Sequence, residues 1–334
     1  MEDNDVGPSL HRDNLFQAEI APPSRADQVA QARGEAPGGP GISTMSTRPT
    51  LGEVLVGIEG LALLRLMSSD DPSARRARVD EIRSLLGRID ASELGESAEG
   101  SEYDLAGGYR VWSDTYDTPL RLFRLEQPVM HRLFDSLSPS RVLDAACGTG
   151  RHSEYLAGRG HRIIGVDRSP EMLQRARRKV PAADFREGDL EALPLEAESV
   201  DVVVCALALV HLPHVEGAIR EFARVVRPGG RVIISDVHPF PILLGWQAQF
   251  RTASGAAGFM RLHPHLASAY CQAYAAAGLR IRSCDEPLLT PESAVTPATE
   301  RLPDANRAAF VGLPGVSVWD LERPEELVDT RRRG

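Results

Sequence analysis

Residues 141–167 read RVLDAACGTGRHSEYLAGRGHRIIGVD, and this stretch decides the fold. A short apolar run (Val142, Leu143) meets a glycine-bearing turn (Gly148, Gly150); a helix-length segment follows, and a second apolar run ends in Asp167. That order is the grammar of a parallel β-α-β unit. Glycines let the backbone come close to a ligand, and the helix after the turn starts with free N–H groups. Asp167 stands 23 positions after Asp144, at the end of the second strand, where a carboxylate can accept hydrogen bonds from both hydroxyls of a ribose. The stretch predicts a site for a nucleoside-containing cofactor.

A dinucleotide site would carry G-x-G-x-x-G, and here Ser153 stands at the third position. The first strand ends in an acid, which would repel a pyrophosphate but suits a cofactor bearing an amino group and a sulfonium. On the pattern D-x-x-C-G-T-G (Asp144 to Gly150) the chain resembles the class I S-adenosylmethionine-dependent methyltransferases, in particular the type 11-like group acting on small molecules. The resemblance runs from about position 109 to about 287 through ordered matches: Ser169-Pro170-Glu171-Met172-Leu173, Gly188-Asp189-Leu190 with Leu193-Pro194, the strand Val200 to Cys205, and Val226-Arg227-Pro228-Gly229-Gly230-Arg231.

That resemblance implies an α/β fold, a Rossmann-like doubly wound seven-stranded sheet that is mostly parallel with one antiparallel strand, and S-adenosylmethionine as cofactor. Its implied site falls at the carboxyl ends of the strands. Ala145, Gly148 and Gly150 would border the methionine part, with Asp144 near its amino group. Asp167 and Arg168 would border the ribose, Met172 would lie against the adenine, and Asp189 with the Leu190 amide would meet the adenine edge. Ala206 and His211 follow the fourth strand, and Tyr116 belongs to a short segment that closes over the cofactor. A lone aspartate at a strand end is as readily a turn or helix cap. Three of them at successive strand ends, 23 and 22 positions apart, form a pattern.

Methyl transfer from a sulfonium is an in-line displacement that consumes positive charge, so alignment and water exclusion are the main tasks. A base is needed only where the acceptor must lose a proton. Histidine suits that role, and the candidates are His211, His214, His238, His263 and His265. His238, directly after the fifth strand in Ser-Asp-Val-His-Pro, is taken as the catalytic residue; a structural role is the competing reading for each of the five. Phe240, Ile242, Leu243, Leu244, Trp246, Phe250 and Phe259 populate a lid insertion over about 239–265 and point to a small, largely hydrophobic acceptor. Oxygen, nitrogen and carbon stay open as the accepting atom. Two further readings keep the cofactor but change the role: a non-methylating, cyclase-type reaction, or an inert methyltransferase-like binding subunit. A nicotinamide-dependent oxidoreductase is weakened by the missing glycine.

With 334 residues and 42% hydrophobic content the chain can hold one catalytic domain (about 101–325) with extensions. The formal net charge of -9 offers no basic face overall, which disfavours nucleic acid as a partner. Of 38 basic residues only Lys179 is a lysine. The four cysteines lack C-x-x-C spacing, so neither a metal site nor a disulfide framework is indicated, and a reducing cytoplasm fits. The acidic, polar N-terminus does not read as a signal peptide, and no run of 18 apolar residues suggests a membrane span. A soluble enzyme of bacterial specialised metabolism is the expectation.

Residues 1–48, rich in Pro, Gly, Ser, Asp and Ala, read as a disordered tail. Thr50 with Glu53 forms a capping-box signature, and Val54, Ile58 and Leu61 recur at helical spacing in a segment apolar on several faces. A second helix from Asp71-Pro72 to about Ile89 completes a hairpin within a helical extension over 49–100. The hairpin is either a cap on the catalytic domain or half of a homodimer interface, with the interface preferred. Residues 90–104 read as a linker, and Tyr109 to Asp117 as an aromatic cluster ahead of the core. Residues 246–262 read as a hairpin over the site, Val316 to Leu321 as a last strand at an antiparallel edge, and 326–334 as a solvated tail.

Overall fold

The Glu53 side chain accepts from the Thr50 N–H at 2.7 Å while the Thr50 hydroxyl accepts from the Glu53 N–H at 3.3 Å, so helix α1 (Leu51–Leu64) opens on the expected capping box. The computed structural model describes residues 49–96, 100–117, 121–294 and 301–325. The tails expected over 1–48 and 326–334 lie outside the described residues. Helix α2 (Pro72–Leu86) starts on Asp71 as N-cap with proline in its first turn. Leu55, Leu85 and Leu94 pack together between α1, α2 and the short helix α3 (Ser92–Gly95). The stretch read as a linker thus contributes α3 and strand β1 (Ser101–Glu102).

After β1 come helices α4 (Leu105–Trp112) and α5 (Arg121–Asp135), and then the alternation that the sequence announces. It runs β2 (Arg141–Ala145), α6 (Arg151–Ala157), β3 (Arg162–Asp167), α7 (Pro170–Lys179), β4 (Asp184–Glu187), β5 (Val200–Ala206), α8 (Glu216–Val225) and β6 (Val226–Val237). Helix α9 (Pro239–Leu243) and the hairpin β7 (Ala248–Arg251) and β8 (Ala257–Met260) form the insertion; α10 (Ala267–Ala276), β9 (Arg280–Asp285), α11 (Pro303–Phe310) and β10 (Val316–Glu322) complete the chain. Strand β1 joins the hairpin in a three-stranded sheet, β1-β8-β7.

The main sheet has seven strands in the order β4-β3-β2-β5-β6-β10-β9, parallel from β4 to β6, with β10 antiparallel to both its neighbours. This is a Rossmann-like doubly wound sheet. Successive residues of each central strand enter opposite cores: Leu143, Val203 and Cys205 one, Val142, Val202 and Val204 the other. Burial on both faces explains why these strands are continuous apolar runs. The same signature corrects the placement of β10. Val316, Val318 and Leu321 are buried on it, and it sits between β6 and β9, leaving the more exposed β9 as the edge. Asp320 within that run is held by Arg231 at 2.7 Å and Arg282 at 3.2 Å.

Helix α1 is apolar all round because it is covered on several sides. Ile58 and Ala62 pack with Ala305, Ala309 and Phe310 of α11, Leu55 faces α2 and α3, and buried Glu59 accepts from Arg78 at 3.0 and 3.2 Å. The hairpin therefore packs through α1 on α11 of the same chain. No helix among the described residues is long and apolar enough to cross a membrane.

Candidate active site

The order of the sheet reverses between β2 and β5, and ligands of open α/β sheets bind outside the carboxyl ends of the strands at such a point. Two non-glycine residues with left-handed backbone follow these strands, Ala146 (φ 57°) after β2 and Leu207 (φ 54°) after β5. Such conformations cost free energy and cluster where function demands them. Gly148 (φ 53°) and Gly150 (φ 80°) complete the turn. A side chain on Gly150 would begin 3.2 Å from Ala176, so glycine there also lets α6 approach α7.

Asp167 closes the turn across the two strands. Its Oδ2 accepts from the Gly148 N–H at 2.8 Å and its Oδ1 from the Ser169 N–H at 2.9 Å. A carboxylate has about four acceptor sites, so two remain for a ligand. Asp144, 2% exposed, accepts from the Ser153 hydroxyl at 2.6 Å. Ser153, the residue that broke the dinucleotide pattern, thus anchors the acid that replaces the pyrophosphate site. Burial raises the pKa of both carboxyls; for Asp167 the Asp144 charge adds to this, while Arg151 and His152 relieve only Asp144. Two buried acids beside one glycine turn suit a ligand that brings an ammonium and a sulfonium, and disfavour one that brings a pyrophosphate.

The other cofactor candidates spread along the same rim. Ala145 ends β2 and Ala206 ends β5, where it pairs with Ser235. Met172 is buried in the first turn of α7, its N–H donating to the Ser169 hydroxyl at 3.2 Å. Arg168 reaches Asp189 at 3.4 Å, and Asp189 accepts from the Glu191 N–H at 2.9 Å, with Leu190 buried beside it. Tyr116 lies over the glycine turn, 3.9 Å from where a Gly148 side chain would start, and burial lifts its phenol to about 12.

Tyr116 belongs to an aromatic shell with Tyr109 and Trp112; Trp112 stacks on Phe250 of the hairpin at 5.4 Å. The opposite side of this segment is charged. Glu171, Arg175 and Lys179, four positions apart on one face of α7, meet Arg110 at 3.6 Å, Asp114 at 2.6 Å and Asp117 at 3.2 Å. Asp117 also accepts from the Thr149 hydroxyl of the glycine turn at 2.6 Å. A clasp of three ion pairs, the first of opposite polarity to the other two, thus fixes the aromatics over the strand ends.

Beneath the aromatics opens a cavity of about 570 Å³, the size of a drug-like ligand. Its walls come from α1 (Val54, Gly57, Ile58, Leu61), the α4 aromatics, the start of α5, Leu207 and Val210 after β5, Val237, the insertion from Leu244 to Gln249, and Phe310. The lining is mostly apolar. One exception is a pair: Tyr109 Oη and His211 Nε2 stand 2.7 Å apart, and both residues line the cavity. Burial and the neighbouring His263 pull His211 down to about 4, partly opposed by the Arg261 backbone, so the imidazole is neutral near pH 7. Burial pushes the Tyr109 phenol well up, so it keeps its proton.

His238 is not part of this lining. Its Nδ1 accepts from the Phe240 N–H at 3.2 Å, capping α9, and its Nε2 pairs with Glu286 at 3.2 Å. Both ring nitrogens of His238 are thus engaged, Nδ1 as the cap of α9 and Nε2 with Glu286. His265 Nε2 donates to the Leu212 carbonyl at 2.8 Å, and neither His263 nor His265 lines the cavity.

Two buried acids escaped the sequence reading. Glu126, fully buried, accepts from Arg151 and His152 at 2.8 Å and from the Ser235 hydroxyl at 2.9 Å, joining α5, the start of α6 and β6. Burial opposes its charge, but His152 and Arg151 win and hold the carboxyl far below the usual range. The signal was present: Phe123, Glu126 and Met130 share one helical face, so an acid sits in a core stripe. Asp236 ends a buried apolar strand as Asp144 and Asp167 do; it accepts from the Tyr270 hydroxyl at 2.6 Å and the Val237 N–H at 2.9 Å, and burial raises it to about 7.

Residues 143–234 match the family described as methyltransferase domain. A malonyl-[acyl-carrier protein] O-methyltransferase of Yersinia pestis is 34% identical over 131 residues, which is 39% of this chain and 49% of that protein. A phthiotriol/phenolphthiotriol dimycocerosates methyltransferase of Mycobacterium ulcerans is 36% identical over 116 residues, 34% of this chain and 43% of that protein. The chain thus spans about half the length of these curated relatives. A crystal structure of an S-adenosylmethionine-dependent methyltransferase from Mesorhizobium loti is 21% identical, covers 60% of this chain and 98% of that one, and has a TM-score of 0.47. The matched region contains the D-x-x-C-G-T-G turn and the strands that carry its paired carboxylates, and over these residues the chain is similar to the S-adenosylmethionine-dependent methyltransferases.

Proposed function

We propose that the protein transfers a methyl group from S-adenosylmethionine to a hydroxyl of a small, largely hydrophobic metabolite, as an enzyme of bacterial specialised metabolism. The observation that carries the reading is the Tyr109–His211 pair in the wall of an apolar cavity that Tyr116, the residue over the glycine turn, also lines. The two relatives named above differ in what their names say they methylate, so the acceptor is argued from this chain's own cavity.

Asp167, Asp144, Gly148 and Tyr116 would hold the cofactor, which when bound supplies a methyl group on a sulfonium. The aromatic shell and its charged clasp exclude water. His211, neutral near pH 7, is the proton acceptor, and Tyr109 Oη relays: it takes the acceptor's hydroxyl proton as it passes its own to His211 Nε2, so no free phenolate forms. The strained Leu207 and the short turn Leu209–His211 hold the imidazole rigidly at the switch point.

A deletion strain should accumulate a precursor one methylene lighter than the lost product, which identifies the acceptor. With it, Tyr109→Phe and His211→Asn should each lower methyl transfer by about 10²–10⁴-fold while S-adenosylhomocysteine affinity, measured by calorimetry, stays within a few fold. The low-pH limb of kcat/KM should lie near the depressed His211 value of about 4, because the base works once the imidazole loses its proton. Wild-type turnover in both variants would remove the proton relay. A cofactor that binds without ever losing its methyl group would favour a non-methylating reaction.

A further inference from the structure

We infer that helix α1, which lies outside the matched methyltransferase region, is the acceptor-selecting wall of the cavity, and that Gly57 sets how large an apolar body the cavity admits. The inference rests on the reading of this cavity as the acceptor chamber. Val54, Gly57, Ile58 and Leu61 form one stripe of α1 at helical spacing, and all four line the cavity. The wall is anchored from behind. Arg65 donates to the Ala309 and Val311 carbonyls at 3.1 and 3.0 Å, closing the end of α11, and Glu59 with Arg78 ties α1 to α2. A helix held on two sides by partners from both ends of the chain cannot yield to a larger ligand without breaking those bonds.

Gly57 is the unfilled position in that wall. Its backbone is ordinary right-handed helix, and no atom lies within 4 Å of where its Cβ would be. A mid-helix glycine destabilises a helix by about 1 kcal/mol relative to alanine, and here neither backbone conformation nor close packing calls for one. What Gly57, an exposed position, contributes is open volume in the α1 wall of the chamber. Gly60, one residue before the stripe's last member, is equally unobstructed but does not line the cavity, so it serves as the matched control. The chemistry of the lining selects a neutral ring system or chain whose hydroxyl sits at the polar pair and whose body runs along α1 toward Phe310.

The test uses the full chain and the neutral apolar fluorophore N-phenyl-1-naphthylamine as probe. The wild-type protein should bind it with enhanced, blue-shifted emission. Gly57→Phe should weaken that binding at least tenfold, Gly60→Phe should leave it within about twofold, and thermal unfolding of both should match wild type within a few degrees. Equal probe affinity in Gly57→Phe and wild type, or no probe binding by wild type, overturns the inference. Loss of binding in Gly60→Phe as well would do the same, by showing that the effect is general to the helix. Calorimetry with S-adenosylhomocysteine on the same three proteins separates the two readings. If the probe behaves as expected but the cofactor product never binds, the methyltransferase reading fails while the chamber wall stands.

Discussion

Asp167 and Gly148 are 19 positions apart and meet through one hydrogen bond between neighbouring strand ends, whereas the acceptor chamber joins residue 54 to residue 310. The cofactor half of the site is a local motif: two strands, one turn and the acids that close it. The acceptor half is assembled from α1, the α4 segment, the insertion and α11, each contributing a few side chains and none containing a recognisable pattern. The first half is charged and hydrogen-bonded, and geometry at single atoms decides what it holds. The second is mostly apolar, and volume decides. A fold that fixes the first on a rigid sheet can vary the second freely.

That contrast can be broken at its strongest point. Asp167→Ala removes the carboxylate that holds the turn and that we propose holds the ribose, and hydrogen bonds to charged groups are worth about 1.5–3 kcal/mol each. S-Adenosylhomocysteine affinity should therefore fall at least about 100-fold by calorimetry, while N-phenyl-1-naphthylamine still binds. A loss within threefold would mean that the strand ends do not carry cofactor recognition. His238→Ala sharpens the other side. Removing a helix cap costs about 1 kcal/mol of stability in urea unfolding, and methyl transfer should stay within twofold of wild type. A collapse of turnover at unchanged cofactor affinity would return the base to the end of β6. The smallest effect is expected where the halves touch. Lys179→Met removes one pair of the clasp, and an exposed ion pair is worth under about 1 kcal/mol, so cofactor dissociation in stopped flow should quicken about two- to fivefold. Salt should quicken it in wild type more than in the variant; equal salt dependence would dissociate the clasp from cofactor release.

What could be read from the chain follows the same division. The alternation from Arg141 to Asp236, the turn, and the acids at three strand ends were legible because each is a short-range pattern with a physical reason for its spacing. β10 was misplaced although its run Val316 to Leu321 carried the sign of a strand buried on both faces. Helix α11 opens on Pro303, a residue that in sequence marks a loop as readily as the first turn of a helix. His238 was singled out by its place after a strand end, and proximity along the chain says nothing about the partners of its ring nitrogens, Phe240 and Glu286. Glu126 and Asp236 were visible as acids inside apolar patterns, a conflict that signals a buried network. The Tyr109–His211 pair, 102 positions apart, left no trace in the sequence.

The clasp has one more consequence. Lys179 is the single lysine of the chain, and it lies where the covering segment meets the glycine turn, 3.4 Å from the Thr149 hydroxyl. Amine-selective reagents therefore have one side chain to find, at the seam that must part for a ligand to enter. A dye or isotope attached there would turn the arginine-rich composition of this protein into an optical or spectroscopic gauge of opening, with no cysteine engineering needed.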